Sequence, residues 1–176
     1  MTMNILEKYY TLGTKELNIH NTYVKESDIQ GNGLFANKDL DEGKLITLYP
    51  AHYIFDNHNK KLLYGVKTPD NIIKKYEYEY DLPNGISIAG DPNIMNNPSF
   101  LGHIANDGYR SYSTTNNNKN RNKYNKNSKE KNNSYFNIHK GVLQLNAYKN
   151  IKKDEEILVG YGFNYWMSHD TKWGFS

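Results

Sequence analysis

Residues 100–108 read FLGHIANDG, a short apolar segment that runs into three turn-forming residues. The spacing of its apolar side chains predicts a short helical turn packed on a core. Asn106, Asp107 and Gly108 then form a strong turn signal. Two polar side chains at the inner end of a packed turn are costly unless they are hydrogen-bonded. The turn accounts for the backbone of this segment but leaves open what pairs with Asn106 and Asp107.

The composition of the chain predicts one domain and excludes several kinds of site. Its 176 residues suffice for a single hydrophobic core, and the absence of cysteine excludes disulfides and thiolate nucleophiles. The six histidines show no paired ligand spacing, so we expect no metal site. No apolar run is long enough to cross a bilayer, and the N-terminus lacks the apolar core of a signal peptide. We expect a soluble, intracellular protein of the cytoplasm or nucleus with no membrane partner.

The positive charge of the chain is concentrated in one segment. The formal net charge is +3, yet residues 110–131 contain seven Lys or Arg and a single Glu, so the rest of the chain is net negative. Asn, Lys and Ser dominate this stretch, which offers almost no apolar side chain to a core. We expect a low-complexity, mobile insertion at about residues 110–133. We expect no nucleic-acid partner, with an electrostatic arm formed by this basic tract as the alternative.

Short β-prone segments separated by turn residues dominate the remainder of the chain. A helical pattern from Asn4 to Leu17 predicts an N-terminal helical extension over residues 1–20. The mostly β domain then comprises residues 21–176. Its predicted strands include Tyr23–Val24, Gly33–Ala36, Leu45–Tyr49, Ile86–Ile88, Tyr135–Ile138 and Val142–Leu145.

One internal similarity links two distant segments. ANKDLDEGKL, residues 36–45, shares its apolar and turn positions with AYKNIKKDEEI, residues 147–157. Each copy is expected to form a strand end, a corner centred on Gly43 or Asp154, and a second strand, because Gly and Asp tolerate positive φ. Two such corners predict two small sheets of like construction rather than a repeat array.

Three segments contain residues that suit ligand binding or catalysis. They are QGNGLFA at residues 30–36, FLGHIANDG at residues 100–108 and EEILVGYGFNYW at residues 155–166. Taken singly, each has an ordinary alternative, since a GxG before a strand is often a hairpin turn and GYGFNYW suits an aromatic core terminus. A Rossmann or P-loop fingerprint is excluded, because no third glycine and no Lys-Ser/Thr pair follows.

Together and in this order, the three segments resemble the SET domain of protein lysine methyltransferases. QGNGLFA resembles the family's GxG motif, GHIANDG its G-R-F-I-N-H-S pattern, and DEEILVGYG its G-E-E-L-T-F-D-Y-G pattern. The resemblance implies a mostly β SET fold of several small sheets with a C-terminal pseudoknot, in which the tyrosine motif threads beneath the loop that carries Asn106. It also implies methyl transfer from S-adenosyl-L-methionine to the side-chain amine of a lysine in a protein or peptide, with a histone tail as one candidate.

Roles for individual residues follow from the same resemblance. Tyr161 takes the place of the catalytic tyrosine. Val159 takes the place that tunes how many methyl groups are added, and its small side chain favours di- or trimethylation. No metal ion is implied. The implied cofactor-binding residues are Gln30, Gly31, Asn32, Gly33, Tyr78, His103, Asn106, Asp107 and Trp166.

The chemistry of these residue types suits such a cofactor. A glycine-rich turn lets the main chain approach a ligand closely, the Asn106 amide can both donate and accept, and Trp166 offers a flat stacking face. Tyr78 belongs to the alternating segment YEYEYDL, where a core ring is an equal alternative. For His103, a structural role is the alternative.

Two residues depart from the family pattern. Asp107 stands where the family usually has His, and Gly160 stands where it has Asp before the tyrosine. These departures keep open a competing function, that of a catalytically inactive SET-fold module that binds a peptide. They also leave two orientations for Asp107: toward the cofactor, or inward to hold the chain crossing through hydrogen bonds.

Overall fold

The computed structural model of the chain describes residues 17–65, 78–83, 85–111 and 115–173, which fold mainly as short β-strands. Every strand predicted above overlaps a strand of the structure, so the mostly β fold is confirmed. The described strands are β1 (Thr22–Glu26), β2 (Asn32–Ala36), β3 (Leu45–Leu48), β4 (Tyr53–Asp56), β5 (Leu62–Tyr64), β6 (Glu79–Leu82), β7 (Ile86–Ala89), β8 (Ser134–His139), β9 (Val142–Ala147) and β10 (Glu156–Ile157).

These strands form three small antiparallel sheets. The first sheet has the order β1–β2–β10, the second β3–β9–β8 and the third β5–β4–β7–β6. In the first sheet β2 is the central strand, which joins the glycine-rich segment to the C-terminal motif. This arrangement places residues 30–36 beside residues 156–157, although they are far apart in sequence.

The two similar corners pack directly against each other. The backbone N–H of Gly43 donates to the carbonyl of Ala147 at 2.9 Å, and the equivalent N–H of Asp154 donates to the carbonyl of Ala36 at 2.8 Å. Both corner residues have positive φ, +80° at Gly43 and +66° at Asp154. One corner leads from the first sheet to the second and the other leads back. The prediction of two sheets of like construction is confirmed.

The helical turn predicted in FLGHIANDG is a short 3₁₀ helix, Gly102–Ile104. The turn is buried because Leu101, Ile104 and Ala105 pack in a core cluster with Leu34 of β2 and Leu145 of β9. The apolar side of the segment is thereby fixed in the core, and the polar residues that follow are held at its edge.

The expectation of a mobile insertion at residues 110–133 is wrong for most of the segment. Asn118–Lys131 form a helix, α1, and the side chain of Asn117 caps it by accepting a hydrogen bond from the N–H of Asn120 at 2.9 Å. Among the residues of α1, only Tyr124 is buried. The composition of the segment gives no indication of this helix, because only one of its side chains, that of Tyr124, is buried in the domain.

A second helix, α2 (Phe163–Trp173), follows the C-terminal motif directly. Phe163 and Trp166 pack with Tyr124 of α1 in a small aromatic cluster that also includes Tyr161 at its border. The two helices therefore meet next to the tyrosine that the sequence places in the catalytic position.

The predicted N-terminal helix lies outside the described residues except for its last position, Leu17, so the boundary at residue 20 stays a prediction. Tyr76, the first residue of the alternating segment YEYEYDL, also lies outside the described residues. Within the part of the chain that the structure describes, no helix combines the length and the apolar character that a membrane span needs.

Candidate active site

The side chain of Asn106 joins the three segments that the sequence singles out. Its Nδ2 group donates to the carbonyl of Gln30 at 3.1 Å, to the carbonyl of Asn32 at 3.2 Å and to Oε1 of Glu156 at 3.2 Å. The backbone carbonyl of Asn106 accepts from the N–H of Val159 at 2.9 Å. The glycine-rich loop, the buried turn and the C-terminal strand are therefore held together at one residue.

The carboxylate of Asp107 is the centre of a buried hydrogen-bond network. The residue is 5% exposed, and its two oxygens accept from five donors on several separate segments. A buried charge is tolerated when its oxygens are paired in this way. Oδ1 accepts from the N–H of Tyr109 at 3.0 Å and Nδ2 of Asn132 at 3.1 Å, and Oδ2 accepts from the hydroxyl of Tyr124 at 2.7 Å, the N–H of Tyr161 at 2.9 Å and Nε1 of Trp166 at 2.9 Å.

Two glycines allow the segments to approach each other. A Cβ atom at Gly33 would collide with Oε1 of Glu156, the atom that also accepts from Ser27 Oγ at 2.7 Å. A Cβ atom at Gly160 would lie 2.7 Å from Oγ of Ser128 in α1. Both glycines therefore serve close packing, and Gly160 specifically makes room for α1.

Tyr161 is fixed at both its backbone and its hydroxyl group. Its hydroxyl donates to the carbonyl of Ala105 at 2.9 Å. Its ring stacks on Trp166 at 5.9 Å between centroids and meets Tyr165 edge-on at 4.8 Å. Burial raises the pKa of Tyr161 well above its usual value. The phenol is therefore neutral at physiological pH, and its position is determined before any ligand arrives.

Tyr161 forms part of the wall of a cavity of about 240 Å³. The glycine-rich loop forms one part of the wall. Aromatic residues form another part: Phe136 of the second sheet, Tyr80 of the third, Tyr165 and Trp166 of α2, and Tyr49, Tyr78 and Tyr161 beside these elements. Among the described residues, no group of three or more acidic or histidine side chains is placed to hold a metal ion. The principal lining residues are Gln30, Gly31, Asn32, Tyr49, Tyr78, Glu79, Tyr80, His103, Asn106, Phe136, Gly160, Tyr161, Tyr165 and Trp166.

His103 is a neutral, buried member of this wall. It is 3% exposed, and its Nε2–H donates to the carbonyl of Asp91 at 3.0 Å. Burial, together with the neighbouring His52, lowers the pKa of His103 to about 4. The rings of Tyr49 and Tyr78 lie edge-on to it, and the hydroxyl of Tyr49 donates to the carbonyl of Tyr78. The imidazole therefore adds no positive charge to the cavity at neutral pH.

Comparison with known protein families identifies the family to which this chain belongs. The sequence matches the family model of the SET domain over residues 31–162, which is more than half of the chain. The chain belongs to the SET domain family. Among solved structures, it is similar to a candidate histone methyltransferase from Plasmodium falciparum, with 21% identity, a TM-score of 0.46 and coverage of 83% of this chain and 96% of that chain. No curated protein sequence matches it significantly.

This SET domain brings most of the predicted site residues to one cavity. Alongside Tyr161, the predicted cofactor residues that line it are Gln30, Gly31, Asn32, Tyr78, His103, Asn106 and Trp166. Tyr78, for which a core ring was the alternative, forms part of the wall. Three predicted residues do not line it: Gly33, Asp107 and Val159.

Each of these three residues has a structural position that explains its absence from the wall. Gly33 packs against Glu156, and Asp107 is directed inward to its five donors. Val159 is 1% exposed and packs in the core cluster with Ile157 and Ile104. Val159 therefore does not line the cavity, and its role in product specificity stays a prediction.

Several wall residues were not predicted from the sequence. Tyr49 and Phe136 belong to ordinary strand patterns that carry no local sign of a site. Tyr80 and Glu79 lie within the alternating YEYEYDL segment, and that alternation was the available signal. Tyr124 anchors α1 without lining the cavity, and in the sequence it is one of two tyrosines in the Asn/Lys tract.

The two departures from the SET pattern have a common physical explanation. The side chains of Tyr124 and Ser128 from α1 occupy the space beside Gly160. A Cβ atom at Gly160 would lie 3.4 Å from the hydroxyl oxygen of Tyr124 and 2.7 Å from Oγ of Ser128, so a larger residue there requires the Ser128 side chain to move. Asp107 supplies a carboxylate to this region and accepts from Tyr124. Both departures therefore accompany the packing of α1.

We expect Asp107→Asn to destabilise the fold strongly. The amide nitrogen would face donors whichever way it turns, so at least two of the five donors lose their acceptor. Because hydrogen bonds to a charged group contribute about 1.5–3 kcal/mol each, the free energy of unfolding should fall by about 3–5 kcal/mol. Urea unfolding measures this change. Asp39→Asn, at an exposed carboxylate paired with Lys152, is the control and should lower the free energy of unfolding far less. Equal losses would contradict the network.

We also expect His103 to make stability depend on pH. Its pKa is about 4 when folded and 6.5 in its ordinary state, so the unfolded chain binds the extra proton between these values. Stability is therefore full above pH 6.5 and is lost as the pH falls toward 4. Between about pH 7 and about pH 5 the loss should be about 2 kcal/mol.

His103→Gln should flatten this dependence, whereas His139→Gln, at an exposed histidine, should retain it. Burial also lowers the pKa of His52, which stays in both variants and produces a residual slope of the same sign. Urea unfolding at a series of pH values measures the slopes. Identical pH profiles for the two variants would refute the assignment to His103.

Proposed function

We propose that this SET domain transfers a methyl group from S-adenosyl-L-methionine to the side-chain amine of a lysine in a protein substrate. The proposal rests on one observation: a single cavity is lined by the glycine-rich loop, Asn106 and Tyr161. SET domains are generally methyltransferases, and all three motifs of the family meet at this cavity.

The chemistry of the wall fits such a cofactor. Among the described residues that line the cavity there is no lysine or arginine, so a ligand with a sulfonium and an ammonium group meets no competing cation. The backbone of residues 30–32 supplies donors and acceptors for a polar ligand, and the aromatic rings supply flat faces. Glu79 adds a carboxylate whose side chain is 9% exposed and pairs with Lys60 at 2.6 Å. When bound, the cofactor would supply an activated methyl group.

Tyr161 is the residue proposed to orient the reaction. Its hydroxyl proton is donated to Ala105, so the free lone pair of the oxygen can accept a hydrogen bond from a substrate amine. Its raised pKa keeps the phenol protonated at neutral pH, so no phenolate is available to act as a base. The phenol therefore contributes by alignment, which can lower a barrier by several kcal/mol when the reacting atoms are held in line.

Deprotonation of the lysine is favoured by the wall rather than by a single base. A lysine side chain that enters a cavity lined by tyrosine and phenylalanine rings loses hydration, which lowers its pKa and favours the neutral, nucleophilic amine. His103 is buried and neutral, so the part of the cavity wall that it forms carries no charge at neutral pH. The released proton would pass to solvent, because Glu79, the carboxylate among the described lining residues, is already paired with Lys60.

A peptide substrate has a docking edge beside the cavity. Among the described strands, β6 lies at one edge of the third sheet. Tyr78, just before it, and Glu79 and Tyr80, at its start, line the cavity. An extended peptide could add to this edge by main-chain hydrogen bonds and direct a lysine inward. We propose a protein substrate of the cytoplasm or nucleus, with histone tails as the first candidates to test.

The same contacts support the pseudoknot that the sequence predicts. Asn106 and Leu158 form a parallel bridge, and the hydroxyl of Tyr161 reaches back to Ala105. We infer that the C-terminal segment threads beneath the loop that carries Asn106, which keeps the catalytic tyrosine in register with the cofactor side of the cavity.

Tyr161→Phe should separate binding from transfer. The substitution keeps the stacked ring and removes the hydroxyl, so we expect cofactor affinity to change little and the transfer rate to fall by roughly 10²-fold or more. A radiolabel transfer assay on histones and on whole lysate, with calorimetry for cofactor binding, measures both. Tyr148→Phe, at a tyrosine that is 38% exposed, is the matched control and should behave as the wild type.

Unchanged turnover in Tyr161→Phe would remove this residue from the mechanism. Cofactor binding by the wild type without transfer to any substrate would instead favour the catalytically inactive peptide-binding module.

A further inference from the structure

The solvent face of α1 carries a regular row of lysines. Lys119, Lys123, Lys126 and Lys129 are all exposed. Because successive residues of a helix are turned by about 100°, spacings of four, three and three residues place these side chains on one face. Tyr124, which is buried, lies on the opposite side. The helix therefore has one face directed toward the domain and one basic face, here named the lysine face, directed toward solvent.

The lysine face keeps a net positive charge within the described part of the chain, although the exposed Glu130 lies on the same face. None of its four lysines forms an ion pair there. α1 as a whole contains six basic residues and one acidic residue, Glu130. Like charges spaced three or four residues apart destabilise a helix. The row is thus unfavourable for the helix by itself, and a polyanion that binds to it would relieve the repulsion.

The lysine face is held rigidly by the packing of α1. The hydroxyl of Tyr124 donates to Asp107 at 2.7 Å and accepts from the N–H of Gly162 at 2.9 Å. Near the start of the helix, Nη2 of Arg121 donates to Oδ1 of Asn164 in α2 at 3.1 Å. At 1.5 Å of rise per residue, the row from Lys119 to Lys129 spans about 15 Å. Preorganised cations at fixed spacing lose less conformational entropy on binding than those of a flexible tail.

The composition of this face decides which polyanion it fits. Stable protein partners are recognised through buried aromatic or aliphatic anchors, and insertion at a membrane surface needs an apolar helix face. The lysine face offers neither, because its other exposed positions, Asn122 and Glu130, are polar. Lysine and asparagine side chains are typical contacts to the phosphates of nucleic acid.

We propose that the lysine face of α1 binds the phosphate backbone of a double-stranded nucleic acid without reading its sequence. The contacts come from the four ammonium groups, assisted by the intervening asparagine amides. This binding is independent of methyl transfer, since none of the four lysines lines the cavity.

The position of α1 gives such binding a fixed relation to the cavity. Ser128 and Tyr124 pack against Gly160, which lines the cavity, and Asp107 joins α1 to the backbone of Tyr161. A duplex on the lysine face would therefore lie on the outer side of the wall that carries Tyr161. A substrate protein that is itself bound to nucleic acid would then be brought to the same side of the domain.

Fluorescence anisotropy with the full chain and a labelled 20-base-pair DNA duplex of random sequence tests the proposal at about 50 to about 200 mM salt. The test variant replaces Lys119, Lys123, Lys126 and Lys129 by Gln, which keeps helix propensity. The control variant replaces four exposed lysines elsewhere by Gln, namely Lys38, Lys44, Lys61 and Lys153, and so changes the net charge equally. Circular dichroism and urea unfolding verify that both variants fold.

The wild type should bind with a slope of log affinity against log salt of about −3 to −4, as expected for four phosphate contacts. The lysine-face variant should bind roughly tenfold or more weakly, with a slope near zero, and the control variant should stay within about twofold of the wild type. Equal losses in the two variants would show a net-charge effect and overturn the proposal. An unchanged affinity of the lysine-face variant would also overturn it.

Two further arms identify the source of the phosphates. A duplex RNA titrated in parallel supports the proposal if it competes for the same four lysines, and the tighter duplex is then the preferred one. Vesicles of phosphatidylcholine with phosphatidylserine are the other arm. Tighter, lysine-dependent binding to these vesicles than to either duplex would assign the face to anionic lipid and refute the proposal.

Discussion

The buried carboxylate of Asp107 is the interaction on which the site depends. It accepts from the loop that follows it, from both helices and from the backbone of Tyr161, so one charge holds together elements that share no strand pairing. A buried charge of this kind is stable only if every donor is in place. The network therefore couples the fold of α1 and α2 to the position of the tyrosine at the cavity. Asn106 plays the same part for the glycine-rich loop by donating to two of its carbonyls.

The paired corners explain why these contacts can form at all. Each corner takes the chain between the first and second sheets, and the hydrogen bonds between Gly43, Ala147, Asp154 and Ala36 fix how the two sheets meet. β10 is placed beside β2 as a result, which delivers the C-terminal motif to the glycine-rich loop. The sheets thus bring the segments of the site together, and the side chains of Asn106 and Asp107 connect those segments through hydrogen bonds.

Much of the fold and part of the site could be predicted from the sequence. Short runs of β-prone residues between turn residues predicted the strands, and the three motifs located Asn106 and Tyr161 at one cavity. The helix α1 was missed because Tyr124 is its only buried residue and the composition of the tract predicts mobility. Asp107 was left with two orientations because a turn signal fixes the backbone and not the direction of a side chain. Tyr49 and Phe136 are contributed by strands whose sequences carry no mark of a ligand.

The shared cavity is the basis for the proposed chemistry, and cofactor binding tests it most directly. Isothermal titration calorimetry of the full, folded chain with S-adenosyl-L-methionine should give saturable binding at about one site per chain, weakened in Asn106→Ala because residues 30–32 lose their link to the turn. Absence of binding by the folded wild type would contradict the assignment of the cavity.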